Sequence, residues 1–164
     1  MHIVFDSSTL ILLSKSELLD LFLDDFSGRV LIPKMVEKEC LYKSSADARL
    51  IQSRIEEGGI TVKAVRDRKL CSKIERDFNI NLGEAEAIVM AGQFKAIVAT
   101  DDWNAIQACK VLRLPFTSAL GILSRMREKQ LIGKEFAISK LTSLAEYGRY
   151  SKEIIQTVRK RLEG

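Results

Sequence analysis

Short β-rich runs alternate along this chain with longer segments of helical periodicity, and this alternation limits the folds that the chain can adopt. Parallel neighbouring strands need crossover connections, and those connections supply helices that cover both faces of the sheet. The runs that read as strands are residues 2–5, 30–32, 60–65, 96–100 and 115–117. The pattern predicts an α/β fold, a three-layer sandwich in which helices flank a central, mostly parallel sheet.

Helical segments lie between these strands and after them. Ser7 or Ser8 can cap a Leu-rich stretch over residues 9–26, which we expect to form two short helices that meet near residues 14–17. Pro33 is expected as the first residue of the next helix, because a first helical residue needs no N–H. Further helices are predicted over residues 45–57, 69–78, 82–91, 103–111, 119–129, 134–147 and 151–162.

The length of 164 residues predicts a single domain over residues 1–164. Apolar side chains make up 46% of the chain, which is enough for a packed core. No apolar run approaches about 18 residues, and the start of the chain lacks a basic segment followed by a long apolar stretch. We therefore expect neither a membrane span nor a secretion signal.

Cysteine and histidine usage excludes several kinds of site. Cys40, Cys71 and Cys109 are far apart in the sequence, which disfavours a disulfide framework and a thiolate zinc site and favours a reducing cytoplasm. His2 is the one histidine, so His-rich metal sites are excluded and a Ser-His-Asp or Cys-His mechanism is disfavoured. The net charge of +4 permits an anionic partner such as nucleic acid.

Acidic residues occur where the predicted strands end. Asp6 follows the first strand, Asp101 and Asp102 follow the fourth, and Glu39 lies two turns into the helix after the second. Ligands of parallel sheets gather at this edge, and Glu84 at the start of an Ala-rich helix can reach it. Converging carboxylates repel one another until a proton or a compact cation relieves the repulsion. Oxygen ligands of this kind suit Mg²⁺ or Mn²⁺.

Each of these acids also has an ordinary structural alternative. The three aspartates can serve as helix N-caps or turn residues, and Glu39 beside Glu37 can face solvent. Glu84 can be a first-turn acid. Glu86, two positions further on, points to another side of the helix, so we expect at most one of Glu84 and Glu86 to face the cleft.

Four motifs follow one another in the first two-thirds of the chain. They are Asp6–Leu13, then Ile32-Pro33 with Val36 and Glu39, then Gly83-Glu84 with Glu86-Ala87-Ile88, and finally Thr100-Asp101-Asp102. In this order they resemble the PIN-domain ribonucleases. Gly121-Ile122-Leu123 and the stretch that ends at Leu131-Ile132 resemble the carboxyl-terminal part of a prokaryotic branch of that family. The resemblance covers about residues 1–135, and residues 136–164 are expected to add carboxyl-terminal helices.

This resemblance implies a Mg²⁺- or Mn²⁺-dependent endoribonuclease that hydrolyses single-stranded RNA, often as the toxin of a toxin-antitoxin pair. It implies that Asp6, Glu39, Glu84 and one aspartate of the 101–102 pair hold one or two ions, which activate a water and stabilise the leaving 3′ oxygen. The Thr-x-Asp pattern of the family selects Asp102, whereas Asp101 is nearest the strand end, so both are candidate catalytic and metal-binding residues. A small antitoxin protein and a homodimer are also implied.

Other side chains are expected close to the acids. Ser7, Ser8, Glu86 and Thr100 are candidate accessory residues, and the three hydroxyls can orient a carboxylate, contact phosphate, or only form capping and turn hydrogen bonds. RNA that approaches a negative pocket needs cations at the rim. The candidates, which can equally form a solvated helix face, are Lys34, Lys38, Arg66, Arg68, Lys69, Lys73 and Arg76.

Other functions fit the same residues. The branch that the chain most resembles commonly has an Arg shortly after the acidic pair, where this sequence has Trp103-Asn104-Ala105-Ile106. That departure favours a catalytically silent PIN-like module that binds RNA or a protein. A phosphatase, or a nuclease that acts on DNA or in RNA processing, would use the same cation-holding acids. Trp103 can stack on a base, or pack in the core or in an interface.

Overall fold

The computed structural model describes residues 1–164 and contains five strands and ten helices. The strands are β1 (Ile3–Phe5), β2 (Val30–Pro33), β3 (Thr61–Lys63), β4 (Ile97–Ala99) and β5 (Phe116–Thr117). The helices are α1 (Ser7–Lys15), α2 (Leu19–Asp25), α3 (Lys34–Leu41), α4 (Ala46–Glu56), α5 (Arg68–Phe78), α6 (Leu82–Phe94), α7 (Trp103–Val111), α8 (Ala119–Glu128), α9 (Lys134–Tyr147) and α10 (Lys152–Glu163).

All five strands are parallel and form one sheet in the order β3-β2-β1-β4-β5. The central strand β1 pairs with β2 on one side, where Ile3 faces Val30, and with β4 on the other side, where Ile3 faces Ile97. Helices cover both faces, so the predicted three-layer α/β sandwich is confirmed. The carboxyl ends of β1 and β4 lie side by side at one edge.

The alternation of side chains along β1 divides the core into two halves. Ile3 and Phe5 point to one face of the sheet and Val4 points to the other, because successive strand residues face opposite ways. The first half contains apolar residues of α1, α2, α3, α4, α8, α9 and α10, and the second contains those of α5, α6 and α7. Burial on both faces explains why the strands are nearly all apolar.

The Leu-rich stretch agrees with its predicted structure, whereas Pro33 does not. The Leu-rich stretch forms two short helices as predicted, and Glu17, in a left-handed backbone conformation, lies between them. Pro33 differs from its expected position, since it ends β2 and is the N-cap of α3, and the helix begins at Lys34. Its extended ψ of 159° continues the strand, which delays the helix by one residue.

The carboxyl-terminal helices share the core of the first half. Leu144 of α9 and Leu162 of α10 are buried in the same cluster as Phe5, and the Arg127 side chain of α8 donates a hydrogen bond to the Leu162 carbonyl at 3.2 Å. These contacts attach α9 and α10 to α8 and α1. None of the ten helices combines the length and the hydropathy needed to span a membrane.

We predict that Leu144→Ala lowers the free energy of unfolding by roughly 2 to 5 kcal/mol, because it leaves a cavity in the shared core. The matched control is Leu131→Ala, since Leu131 is 47% exposed, and its expected effect is within about 0.5 kcal/mol. Urea denaturation followed by circular dichroism measures both values. A separate early transition in Leu144→Ala, with the main transition unmoved, would show that α9 and α10 fold as an independent unit.

Candidate functional site

Asp6 lies at the carboxyl end of β1 and is almost completely buried, with 2% of its surface exposed. Its Oδ1 accepts hydrogen bonds from the Thr9 amide at 2.9 Å and the Ser8 hydroxyl at 3.2 Å, which makes Asp6 the N-cap of α1. Its Oδ2 accepts a hydrogen bond from the Thr100 hydroxyl at 2.5 Å. Burial outweighs these hydrogen bonds and raises the pKa of Asp6 to about 6, and the nearby Asp101 adds to the increase.

Asp101 follows β4 and is held through both of its carboxylate oxygens. The Tyr150 hydroxyl donates to Oδ1 at 2.6 Å, and the Thr9 hydroxyl donates to Oδ2 at 2.6 Å. The backbone amide of Ala119, at the start of α8, also donates to Oδ2 at 3.2 Å. Burial and the Asp101 charge raise the pKa of Tyr150, so this phenol stays protonated and continues to donate. Asp101 therefore links α1, α8 and the segment after α9.

Asp102 has a different role from its neighbour. It is the N-cap of α7, because its Oδ2 accepts a hydrogen bond from the Ala105 amide at 2.9 Å. Its own amide donates to the Thr100 hydroxyl at 3.2 Å. Only one carboxylate oxygen of Asp102 is used in these contacts, so the other is free to bind a ligand.

Glu39 projects from α3 against the beginning of α6. The contact is close because Gly83 has no side chain: a Cβ there would overlap Oε1 of Glu39. That buried oxygen has no hydrogen-bond partner. Burial raises the pKa of Glu39, as does repulsion from Glu86, while the nearby Ser7 hydroxyl lowers it. A buried carboxylate oxygen without a partner is costly unless a proton or a cation reaches it.

Glu84 lies in the first turn of α6 and forms a capping box with Asn81. The Glu84 amide donates to Oδ1 of Asn81 at 2.9 Å, and Oε2 of Glu84 accepts a hydrogen bond from the Asn81 amide at 3.0 Å. Burial is the main reason that the pKa of Glu84 is raised to about 7. Repulsion from Asp102, Asp6 and Glu39 raises this pKa further, so Glu84 interacts electrostatically with all three of these acids.

Some of the acids line one recess at the carboxyl edge of the sheet. A cavity of about 460 Å³ is lined by Ser8, Glu84, Asp101 and Asp102. Asp6, whose carboxylate accepts a hydrogen bond from Ser8, is buried and does not line this cavity, and neither does Glu39. As the side chains stand, no three His, Cys, Asp or Glu residues converge closely enough to hold one ion. The residues nevertheless fit a hard cation, because the donors are carboxylate oxygens and Oε1 of Glu39 lacks a partner.

Glu86 lies outside this recess. It is buried, its Oε2 accepts a hydrogen bond from Arg68 at 2.7 Å, and its Oε1 accepts one from the Met35 amide at 3.3 Å near the start of α3. Glu86 thus supports the helix that carries Glu39. Arg68 was expected at the RNA-binding rim, but its guanidinium is engaged by Glu86 and by the Val65 carbonyl, which gives it a structural role.

The exposed cations Lys34, Lys38 and Lys69 do not line the cavity. The cations that do are Lys15 and Arg149, which sequence reasoning missed. A signal existed for Lys15, since the helical spacing of Ser8, Ile11, Leu12 and Lys15 puts them on one face of α1. No comparable signal pointed to Arg149, because it follows α9 and is distant from every motif.

Trp103 is 70% exposed at the beginning of α7, so it is not a core residue. The Lys110 amine lies 6.0 Å from the centre of its ring. The exposed ring is accessible for base stacking or for packing in an interface.

The architecture and the acids can be compared with known proteins. The sequence model of the PIN domain matches residues 2–164. The chain belongs to the PIN-domain family. PIN domains are generally nucleases and typically use divalent metals. The match includes α9 and α10, which the sequence motifs did not reach. No curated protein matches the chain.

The raised pKa of Asp6 predicts a pH dependence of stability in EDTA. Asp6 ionises near pH 3.8 in the unfolded chain and near pH 6 in the folded PIN domain. Between these values the unfolded chain binds fewer protons, so the free energy of unfolding falls as pH rises through this window, by roughly 2 to 3 kcal/mol from Asp6 alone. Asp6→Asn should lack this part of the decrease because the amide of Asn does not ionise. Asn can still cap α1 and contact Thr100, so the variant should fold.

Urea unfolding of both proteins at a series of pH values between about 4 and 7 measures the difference. Subtracting the two profiles removes the contributions of the carboxylates that do not interact with Asp6, and leaves that of Asp6 together with its coupling to Glu84. Parallel profiles would mean that the pKa of Asp6 is not raised in the folded protein.

Proposed function

We propose that this PIN domain is a metal-dependent ribonuclease that hydrolyses the phosphodiester bonds of single-stranded RNA. The observation that carries the proposal is the grouping of the acids: Glu84, Asp101 and Asp102 line one cavity. Burial, and then repulsion from Asp102, Asp6 and Glu39, raises the pKa of Glu84 to about 7. A divalent cation relieves such repulsion, and phosphodiester hydrolysis is a reaction that such cations promote. The general nuclease activity of PIN domains supports the same conclusion.

The proposed cofactor is Mg²⁺ or Mn²⁺, because every candidate donor is a carboxylate oxygen. Asp6, Glu39 and Glu84 would hold it together with Asp102. We favour Asp102 over Asp101 because one oxygen of Asp102 accepts no hydrogen bond, whereas both oxygens of Asp101 do. Asp101 still lines the same cavity, and accepting hydrogen bonds does not by itself exclude a ligand, since both oxygens of Asp6 also accept them. When bound, the ion would supply Lewis-acid stabilisation of the negative charge that develops at the scissile phosphate.

The chain's own residues fix the directions of these carboxylates. Thr9, Ser8 and Thr100 hold the two oxygens of Asp6, and Asn81 holds one oxygen of Glu84. His2 precedes β1 at the opposite end of the strand, where its Nδ1 accepts a hydrogen bond from the Arg29 amide. It is therefore remote from the acids, and hydrolysis would depend on carboxylates rather than on a histidine base.

A role as the toxin of a toxin-antitoxin pair extends this proposal, with a small antitoxin protein as inhibitor and with assembly of the chain as a homodimer. These assignments derive from the resemblance to a prokaryotic PIN branch. A cytoplasmic location is proposed from the three cysteines, which are free and buried.

A second candidate function is a catalytically silent PIN-like module that binds RNA or a protein. The observation that favours it is the structural use of the acids. Asp6 and Asp102 cap helices, and Asp101 accepts hydrogen bonds from three elements. A module that kept these acids for stability alone would retain the same contacts without catalysis.

The test is cleavage of labelled single-stranded RNA by the wild type, Asp6→Asn and the matched control Asp24→Asn, each with Mn²⁺ or with EDTA. Asp24 is an exposed acid of α2, remote from the recess. We expect cleavage by the wild type and the control with Mn²⁺ only, and a rate lower by roughly 100-fold or more in Asp6→Asn, since Asp6 is a central ligand. Single-stranded DNA is assayed in parallel.

Equal activity in Asp6→Asn would overturn the mechanism. RNA binding without metal-dependent cleavage by the wild type would support the silent module. Cleavage of DNA in preference to RNA would show that the substrate is DNA, and it would leave the proposed metal site unchanged.

A further inference from the structure

The cavity beside the acids also contains two cations. Lys15 from the end of α1 and Arg149 from the segment between α9 and α10 line it together with Glu84, Asp101 and Asp102. We call residues 148–151, which connect the last two helices, the α9–α10 junction. One recess therefore combines carboxylates suited to a cation with positive side chains suited to an anion.

The α9–α10 junction is fixed in position by Tyr150. Its hydroxyl donates to Oδ1 of Asp101 at 2.6 Å, which ties the junction to the carboxyl end of β4. Gly148 makes this possible, because a Cβ there would lie 2.5 Å from the Tyr150 ring and 2.9 Å from the Leu144 carbonyl oxygen. Arg149 lies between these two residues, so its backbone is anchored on both sides beside the acids.

Neither cation has a carboxylate partner within the chain. Seven ion pairs occur in the structure, and neither Lys15 nor Arg149 takes part in one, although three acids line the same cavity. Lys15 lies over the ring of Tyr147, with its amine 5.6 Å from the ring centre. Both cations are exposed. The cavity of about 460 Å³ leaves room for a phosphodiester group beside them.

We propose that Lys15 and Arg149 bind backbone phosphates of a single-stranded nucleic acid in this cavity, next to the carboxylates. The proposal rests on the proposed function, because it assigns the position of the substrate strand at the same site. Arg149 supplies a planar fork that can bind two phosphate oxygens, and Lys15 supplies a compact charge. Together they offset the repulsion that a polyanion meets as it approaches the acids.

The experiment measures the affinity of a fluorescein-labelled single-stranded RNA at several KCl concentrations by fluorescence anisotropy in EDTA. Asp6→Asn serves as the parent protein, so that RNA cleavage does not interfere. Arg149→Ala, Arg149→Lys and Lys15→Ala are added singly to it. Lys160→Ala is the matched control, since Lys160 is an exposed cation of α10 with no ion pair and lies outside the cavity.

We expect Arg149→Ala and Lys15→Ala each to weaken binding by roughly 3- to 10-fold, and to reduce the slope of log Kd against log salt by about 0.7 per lost phosphate contact. Arg149→Lys should keep the salt slope and lose part of the affinity, because the charge stays and the fork is lost. Lys160→Ala should change neither quantity. Arg149 makes no hydrogen bond within the chain, so Arg149→Ala should melt at the parent's Tm.

Unchanged affinity and salt slope in both alanine variants would overturn this proposal, as would a parent protein that binds no RNA. Either result leaves the proposed nuclease standing if the wild type cleaves RNA with Mn²⁺. Conversely, a wild type without metal-dependent cleavage overturns the proposed nuclease, while affinity losses in the two variants would still support the phosphate-binding role.

Discussion

The parallel pairing of β1 with β4 is the constraint on which the candidate site depends. Phe5 pairs with Ala99, and the Asp6 amide donates to the Ala99 carbonyl at 3.0 Å. This register brings the Thr100 hydroxyl to Oδ2 of Asp6 and sets Asp101 beside α1. A slip of one residue would turn every β1 side chain to the other face, where Phe5 would have to fit the space of the smaller Val4, so close packing of the core also fixes the position of the acids.

Helix capping and ligand positioning are combined in the same carboxylates. Asp6, Asp102 and Glu84 each accept a backbone hydrogen bond at a helix start, where the helix dipole favours negative charge. These contacts hold the oxygens in fixed directions and offset part of the repulsion between them. The pKa values of Asp6 and Glu84 are nevertheless raised, chiefly by burial and in smaller part by the neighbouring carboxylates, and one buried oxygen of Glu39 has no hydrogen-bond partner.

The sequence predicts the features that depend on local pattern and chain order. The alternation of strands and helices predicts the sandwich. The rule that ligands gather at strand ends predicts Asp6 and the aspartates after β4 as site residues. The sequence alone does not distinguish the role of Asp101 from that of Asp102. The difference depends on hydrogen bonds from Tyr150 and Ala119, which belong to other parts of the fold. Likewise, the pairing of Glu86 and the position of Arg149 follow from tertiary contacts between distant segments.

The central claim is that the acids at the carboxyl edge act together as one cation site. Calorimetric titration with Mn²⁺ in buffers of different ionisation enthalpy tests it, because this method counts the protons that binding displaces. With pKa values of about 6 for Asp6 and about 7 for Glu84, we expect net proton release near about pH 6.5 that disappears near about pH 8.5. Absence of Mn²⁺ binding, or binding without proton release at the lower pH, would contradict the account.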